Sequence, residues 1–528
     1  MMTSIYKYFK SNPLTALLLI LFLGAFLRLF LLGAIPNGFF VDEASKGYDA
    51  YSIIHTLRDR YGAFMPLFLR SFDDYREAVY VYLTIPVIQL FGLSEWSFRL
   101  PSALIGITTI VIIYYLSLEL FEQDRRAAFM SALFLTLSPW HFHFSRIGFR
   151  AILLPCIFSL ALLLFLKSFK KEKYLVLSGF FFGLSFWTYS SARVFVSMFL
   201  IGLCILYWQH LWKHKDKTLL AILLFSCIYI PLLTFWMSPE GMSRLNQVGL
   251  QNEPLKILVN FFSYFDPNYL FITGDSNLRH NPSNIGQLYY FEIITVLAGL
   301  VAILMKKGLT RNIFILWLLC YPFPAALTEP GHAIRSIVGC VLFALISGYG
   351  TVQIINLLEQ KFKSANVFPV TLSLLLVSML AILVKIYFID YGSHVTREWQ
   401  YGMREAITYA NKSPINHVIM KRKPDWVFED HSYGVLVPFY SKFSPEEYQK
   451  LKTHPWNRTE KDPDYTLGKF TLMTITPDKK LPDQSLFIVY PDEKPVVGVP
   501  GYNVKEVHTV KDSLGGEHFK IFEVTRVD

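Results

Sequence analysis

The sequence predicts an α-helical polytopic membrane protein with about eleven transmembrane helices, followed by a C-terminal α/β domain outside the membrane. Hydrophobic residues make up 53% of the 528 residues and charged residues only 17%, whereas a soluble domain has about 25% charged residues. Long apolar runs fill the chain up to residue 390, and basic residues cluster in every second connection between them. We therefore predict a transmembrane domain over 1–390 and an extracytoplasmic domain over 391–528.

The apolar runs define the membrane spans, since about 20 apolar residues cross a bilayer as one helix. Eleven segments fit this pattern: 13–33, 97–121, 127–144, 151–166, 174–190, 194–211, 218–237, 288–305, 312–328, 335–358 and 366–389. The run over 79–92 is apolar but short and contains Pro86. We predict that it lies in the interface or folds back, without crossing. The first run lacks a small-residue cleavage site and is predicted to be a retained span.

The basic clusters predict the orientation of the chain. They are Lys7/Lys10, Arg125/Arg126, Lys167/Lys170/Lys171/Lys173, Lys213/Lys215/Lys217, Lys306/Lys307/Arg311 and Lys361/Lys363. The positive-inside rule assigns these segments to the cytoplasm, and eleven crossings from a cytoplasmic N-terminus leave the C-terminus outside. The segment after residue 390 holds 19 basic and 19 acidic residues, so the net charge of +10 lies in the membrane part. This charge indicates topology and not a nucleic-acid partner.

The tail has the pattern of a small α/β domain. We predict a helix over 396–411, strands over 417–421, 465–476, 485–490, 504–510 and 518–527, and a turn at Gly515-Gly516. All five cysteines lie in the predicted spans and none in the tail. An external domain without disulfides is more typical of a prokaryotic cell surface than of an animal secretory protein.

Acidic, arginine and histidine side chains recur in the predicted external loops. They are Asp42, Glu43, Asp73, Asp74, Arg76, His141, His143, Arg146, Arg150, Asp266, Asp275, Arg279, His280, Glu329, His332 and Arg335. Single charges at span ends often serve as interfacial anchors. Recurrence in several loops on one face instead favours a site formed between helices near that face.

Familiar soluble-enzyme motifs are absent from the sequence. It has no GxxxxGK[ST], GxGxxG, HExxH, CxxC or GxSxG pattern. His141 and His143 have the spacing of a metal pair, but histidines there more often cap an aromatic helix end, and we predict no metal ligand. Without a nucleotide motif, an enzyme working on the outer face is expected to receive its activated substrate on a lipid.

Several motifs near the N-terminus carry a family resemblance. They are Asp42-Glu43, Gly47-Tyr48, Tyr80-Val-Tyr82-Leu83 and the run LFG-x-SE…RLPSAL between Leu90 and Leu104. The stretch from Pro36 to Phe121 resembles the start of the GT-C membrane glycosyltransferases of the protein O-mannosyltransferase and aminoarabinose-transferase type. Ser138 to Arg146 and Tyr264 to Asp275 resemble later loops of bacterial relatives. Relatives of the aminoarabinose type carry Glu-Lys-Pro-Pro before the Tyr-rich segment, where this chain has Tyr75-Arg76-Glu77-Ala78.

The resemblance implies a GT-C-like fold over 1–390 and inverting transfer of a sugar on the outer face. The donor would be a polyprenyl-phosphate sugar and the acceptor a hydroxyl of a protein, a lipid or a cell-surface glycan, with membrane lipid as a further partner and no nucleic acid. We expect Asp42 to be the base, with Glu43 orienting it, and arginines to bind the donor phosphate. These arginines are Arg76, Arg146, Arg150 and Arg335. Further site candidates are Asp73, Asp74, Asp266, Asp275, Arg279, His280 and His332. No cofactor is assigned, and a divalent metal ion is left open.

Three other functions fit part of the pattern. A transporter or flippase for a lipid-linked or anionic substrate would also cross the membrane many times, but such folds usually show paired repeats with interrupted helices. A surface receptor would use the tail as its binding module. A polysaccharide ligase with a polyprenyl-diphosphate donor would share the arginine-rich outer site.

Overall fold

The computed structural model describes residues 13–72, 74–364, 366–392, 395–421, 427–451, 464–473, 475, 481–493 and 501–527. Contacts within the chain divide it into two compact units. The first comprises Met1–Leu32 and Arg99–Asp390, and the second comprises Gly33–Phe98 and Tyr391–Asp528. The contacts thus group the first long loop with the tail. A functional division at residue 390 stays a prediction.

The helices of the first unit follow the apolar runs of the sequence. They are α1 (Pro13–Leu29), α4 (Glu95–Leu120, which begins in the second unit), α5 (Arg125–Leu137), α6 (Pro139–Phe144), α7 (Leu153–Ser168, after a 3-10 turn Arg150–Ile152), α8 (Lys173–Ser185), α9 (Ala192–Leu206), α10 (Trp208–Lys213), α11 (Lys215–Trp236), α12 (Pro239–Val248), α13 (Pro254–Ser263), a π-helical turn (Asn268–Ile272), α14 (Glu292–Met305), α15 (Leu309–Cys320), α16 (Phe323–Ala326), α17 (Gly339–Phe362) and α18 (Val367–Leu383), which continues as a π-helix over Val384–Tyr391.

The membrane class is confirmed by these helices. Among the described residues, six helical stretches are long and apolar enough to cross a membrane by length and composition: Glu95–Leu120, Arg150–Ser168, Lys215–Trp236, Leu309–Ala326, Gly339–Phe362 and Val367–Tyr391. Each of the other five predicted spans falls on shorter helical structure. The total of eleven crossings stays a prediction.

Close helix packing in the first unit depends on glycine. At Gly350 in α17, a Cβ atom would lie 1.9 Å from the carbonyl oxygen of Thr295 in α14. The missing side chain lets the two backbones approach directly, as small residues do at many helix contacts within membranes. Gly299 of α14 contributes in the same way, since a Cβ atom there would lie 2.2 Å from the carbonyl oxygen of Ile346 in α17.

The second unit contains helices and two sheets. Its elements are α2 (Val41–Thr56), β1 (Phe68–Ser71), β2 (Asp74–Glu77), α3 (Val79–Phe91), α19 (Met403–Lys412), β3 (Val418–Lys421), α20 (Val427–Ser441), α21 (Pro445–Gln449), β4 (Tyr465–Leu467), β5 (Phe470–Met473), β6 (Gln484–Val489), β7 (Tyr502–Lys511) and β8 (Glu517–Arg526). Strands β1 and β2 form a hairpin, and the other six form a sheet of order β4-β5-β3-β6-β8-β7. Strand β3 lies parallel to both neighbours, and the remaining pairs are antiparallel. Buried Ile419, Phe487 and Val524 belong to its core.

The tail confirms an α/β arrangement, corrects two local predictions and adds two helices that were not predicted. The predicted helix over 396–411 begins only at Met403, because turns precede it and Gly402 takes a left-handed φ of 91°. The predicted strand over 465–476 is a hairpin that turns at Gly468, with φ 58°. Helices α20 and α21 were missed. Tertiary packing stabilises this region, as shown by the ring of Phe439, which closes on Gly47 of α2.

Candidate functional site

The predicted base lies in the first turn of α2. Phe40 provides the N-cap in extended conformation, and the Val41 amide donates to Gln400 Oε1 at 2.8 Å. Asp42 and Glu43 therefore sit at the positive end of the helix dipole, which favours carboxylates. The Asp42 side chain is 28% exposed, whereas Glu43 is fully buried. Of the pair, Asp42 is the carboxylate that another molecule can reach.

A line of charged residues extends from Asp42 along one face of α2. Residues separated by four and seven positions share a helix face, and Lys46 and Asp49 occupy these positions. The Lys46 ammonium lies 4.0 Å from Asp42 Oδ2, and its side chain is 8% exposed. Asp49 is buried as well. Lys46 and Asp49 were not among the residues predicted from the sequence, although their spacing from Asp42 indicates a shared helix face.

Asp49 forms a buried pair with Arg60. Arg60 Nε lies 3.7 Å from Asp49 Oδ1, and the Arg60 backbone amide donates to the same oxygen at 3.3 Å. The guanidinium also lies over the rings of Tyr61 and Phe72. Burial raises the pKa of the Asp49 carboxyl to about 7, against the opposing effect of the Arg60 charge. The distance between Arg60 Nε and Asp49 Oδ1 is too long for a hydrogen bond between these two atoms. The Arg60 charge therefore offsets only part of the free-energy cost of burying the ionised Asp49 carboxylate.

Arg76 lies in the β1–β2 hairpin with a carboxylate beside it. Its Nε donates to Asp74 Oδ1 at 2.7 Å, and the two side chains are 15% and 3% exposed. A carboxylate that binds one edge of a guanidinium fixes the plane of its remaining donors. The structure thus brings together two predicted site residues. The third candidate in this segment, Asp73, lies outside the described residues.

A second cluster of predicted site residues lies in the first unit. Asp275 Oδ2 is 3.2 Å from His280 Nδ1 and 3.8 Å from His332 Nδ1. The Ala333 amide donates to the same oxygen at 2.8 Å. Burial opposes ionisation of Asp275, yet the hydrogen bond from His280 and the charges of the two histidines hold its pKa below the usual value. Each residue offers a ligand atom, and the three atoms lie within 4.8 Å of one another.

Glu329 connects this cluster to Arg335. Its Oε1 atom lies 3.2 Å from His332 Nε2 and 2.8 Å from Arg335 Nη1. Arg335 also donates to the Thr328 hydroxyl. Arg335 is therefore held by its own loop, and its side chain is 16% exposed.

Arg146 and Arg150 are buried and have hydrogen-bond partners inside the first unit. Arg146 is fully buried, and its Nη1 donates to the carbonyl oxygens of Leu27 at 2.6 Å and Arg28 at 3.0 Å, at the C-terminal end of α1. Arg150 is 4% exposed, and its Nη2 donates to the Ser190 hydroxyl at 3.3 Å. For Arg146 these contacts favour a helix-capping role over the phosphate role that the sequence suggested.

His141 and His143 do not share a ligand position in the described part of the chain. His141 Nδ1 lies 3.0 Å from Arg28 Nη2, and His143 Nε2 lies 2.8 Å from the Arg279 carbonyl oxygen. Neither belongs to the metal-type cluster. The partner of His141 is Arg28, a buried arginine that was not among the residues predicted from the sequence.

Asp266 and Arg279 have local partners. Asp266 is exposed, and its Oδ1 accepts from the Asn268 amide at 2.8 Å. The Arg279 Nε donates to Asn277 Oδ1 at 3.3 Å. Both contacts are local ones within loop structure, and a site role for these two residues stays a prediction.

Comparisons with known proteins agree with the fold. Residues 78–235 match the family model described as dolichyl-phosphate-mannose-protein mannosyltransferase. No curated protein matches the chain. The chain is similar to ArnT from Cupriavidus metallidurans in the apo state, with 12% sequence identity, a TM-score of 0.58, and coverage of 97% of this chain and 98% of that chain. It is also similar to that protein bound to undecaprenyl phosphate, with 13% identity, a TM-score of 0.58, and coverage of 96% and 97%. At these identities the likeness shows a shared fold.

Proposed function

Because the chain has the fold of the GT-C membrane glycosyltransferases, we propose that it moves a sugar from a polyprenyl-phosphate donor to an acceptor hydroxyl. The acceptor oxygen forms the new bond to the anomeric carbon as the bond from that carbon to the phosphate oxygen breaks. The acceptor proton passes to a carboxylate, and the polyprenyl phosphate leaves as an anion. A single displacement of this kind inverts the anomeric carbon.

The placement of Asp42 is the observation that carries this proposal. A general base must lie within hydrogen-bond reach of the proton that it takes, and such a base contributes about 10²–10⁴-fold to the rate. Asp42 is part-exposed and lies in the first turn of α2, with the Lys46 ammonium 4.0 Å away. A helix N-terminus and a nearby cation both favour a negative charge. Glu43, the buried neighbour of Asp42, is proposed to orient the base.

The donor phosphate needs cations and no general acid. Arginine suits this task because its donors match the oxygens of a phosphate group. Arg76 is our first choice in the second unit, with Asp74 fixing its orientation. Arg335 and Arg150 of the first unit are further proposals for the same task.

The similarity to a protein solved with undecaprenyl phosphate supports a lipid monophosphate as the donor. The test is transfer by the purified full chain in lipid nanodiscs, given radiolabelled sugar on polyprenyl phosphate, on polyprenyl diphosphate or on a nucleoside diphosphate. We expect product from the monophosphate. Product from the diphosphate alone would indicate a ligase. Movement of intact donor across proteoliposomes without product would indicate a flippase.

The orientation of the chain is part of the proposal. With the basic clusters in the cytoplasm, the tail lies outside. In a background without its five cysteines, Leu514→Cys, at a 74% exposed position, should react with a membrane-impermeant maleimide on intact cells. Lys171→Cys, in a predicted cytoplasmic loop, should react only after lysis. The reverse pattern would overturn the proposed orientation.

A further inference from the structure

We propose that Asp275, His280 and His332 bind a zinc ion that joins two loops of the first unit. The loop before α14 supplies Asp275 and His280, and the loop before α17 supplies His332. The proposal goes beyond the proposed sugar transfer and does not depend on it, because metal binding is measured without any substrate.

The spacing of the ligand atoms fits a tetrahedral ion. Two ligands that each lie about 2.0–2.1 Å from zinc are about 3.3 Å apart. Asp275 Oδ2 lies 3.2 Å from His280 Nδ1 and 3.8 Å from His332 Nδ1. The centroids of the two imidazole rings are 4.7 Å apart and the ring planes are tilted by 30°. All three ligand atoms lie within 4.8 Å of one another, so the side chains have to close by at most about 1.5 Å to hold an ion at tetrahedral distances.

The outer contacts of the cluster are those of a metal site. A histidine that binds a metal through one nitrogen usually directs its other nitrogen to a carboxylate or carbonyl, which fixes the tautomer. His332 directs Nδ1 to Asp275 and Nε2 to Glu329 Oε1, which lies 3.2 Å away. The Ala333 amide holds Asp275 Oδ2 in place at 2.8 Å. A simple Asp–His hydrogen bond would not need the second histidine or the second carboxylate.

The ligand chemistry selects the ion. Two imidazoles and one carboxylate suit zinc, which uses nitrogen ligands readily, whereas magnesium and calcium prefer oxygen ligands. Three protein ligands leave a fourth position for water. Because Glu329 contacts both His332 and Arg335, an ion here would also stiffen the loop that carries Arg335.

The test uses the purified full chain, stripped with a chelator, incubated with a zinc salt and then desalted into metal-free buffer to remove unbound zinc. We expect one zinc per chain by elemental analysis, a zinc-dependent rise in the unfolding temperature, and visible absorption bands of tetrahedral type when cobalt is added instead. A large excess of magnesium should not displace the zinc. Failure of the wild-type chain to retain zinc would overturn the proposal, whatever the variants do.

Variants locate the ion. His280→Asn and His332→Gln keep polar side chains of similar size and should lose the bound zinc and the zinc-dependent rise in unfolding temperature. The matched control is His518→Asn, since His518 forms an Asp–His contact with Asp512 at 2.9 Å, and the described residues place no third ligand there. Zinc content that stays at one per chain in both site variants, or that falls equally in the control, would contradict the assignment.

Discussion

The Lys46 ammonium lies 4.0 Å from Asp42 Oδ2, one turn further along α2. Two opposite charges at this distance attract by about 1 kcal/mol in water and by about 4 kcal/mol near a protein surface. Asp42 is part-exposed, so the lower part of that range applies. Lys46 thus favours the ionised carboxylate that a general base requires.

Replacing Lys46 should shift the pH dependence of sugar transfer. In Lys46→Met the ionised form of Asp42 loses the positive charge of Lys46, so the acid limb of the kcat/KM profile should move up by about one pH unit. Lys46→Arg should keep the wild-type profile. The measurement is transfer between pH 4 and pH 8 in nanodiscs. A Lys46→Met profile that superimposes on the wild type would exclude this role.

Asp49 should make the protein less stable as the pH rises. Burial raises its pKa from 3.8 to about 7, so between these values the folded chain binds more protons at this site than the unfolded chain. Below about pH 4 the neutral Asp49 carboxyl makes its full contribution to the free energy of unfolding. This contribution is lost as the pH rises through 7. The upper limit of this loss is about 4 kcal/mol.

Asp49→Asn tests that pH dependence. The variant should flatten the fall in unfolding temperature between pH 4.5 and pH 7.5, because the amide does not titrate. Asp483→Asn, at an exposed position, should keep the wild-type slope. Equal slopes in wild type and Asp49→Asn would show that Asp49 is already ionised in that range.

Arg76 should act on the donor. Arg76→Ala is expected to lower kcat/KM about 10- to 100-fold, mainly through a higher KM for the polyprenyl-phosphate sugar, because a hydrogen bond to a charged group contributes about 1.5–3 kcal/mol. Arg76→Lys should recover little, since lysine lacks the planar fork. Arg58→Ala, at an exposed arginine of the same unit, serves as the control. A KM unchanged in Arg76→Ala would remove Arg76 from the donor site.

Arg146 should matter for stability and not for the donor. Its guanidinium donates to two carbonyl oxygens at the end of α1 inside the fold. Arg146→Met leaves these carbonyls without that donor, at a cost of about 1–3 kcal/mol. The unfolding temperature should fall by several degrees while the donor KM of the folded fraction stays within about twofold. A large rise in KM with normal stability would restore the phosphate role.

The membrane helices were predictable because span length and charge distribution are local properties of the sequence. Details that depend on tertiary contacts were not predictable from the sequence. Gly402 delays the start of α19 through its left-handed conformation, and α20 is a helix whose Phe439 packs on Gly47. The helix propensities of these residues alone predict neither the start of α19 nor the presence of α20.

The candidate site also combines a feature that the local sequence predicts with contacts that only the fold shows. The first-turn position of Asp42 follows from its local sequence. The meeting of Asp275 and His280 with His332 requires two distant loops to close on each other. The capping of Leu27 by Arg146 likewise joins segments far apart in the chain. The recurrence of charged and histidine residues in the predicted external loops marked site candidates, and only the fold shows which of them are neighbours.

The assignment of Asp42 as the base is the central claim, and one substitution tests it most directly. Asp42→Asn keeps the size and the helix start but cannot accept the proton, so transfer from labelled polyprenyl-phosphate sugar should fall by about 10²-fold or more. The unfolding temperature should stay near that of the wild type, and Asp483→Asn should transfer at the wild-type rate. Full transfer by well-folded Asp42→Asn would contradict the account.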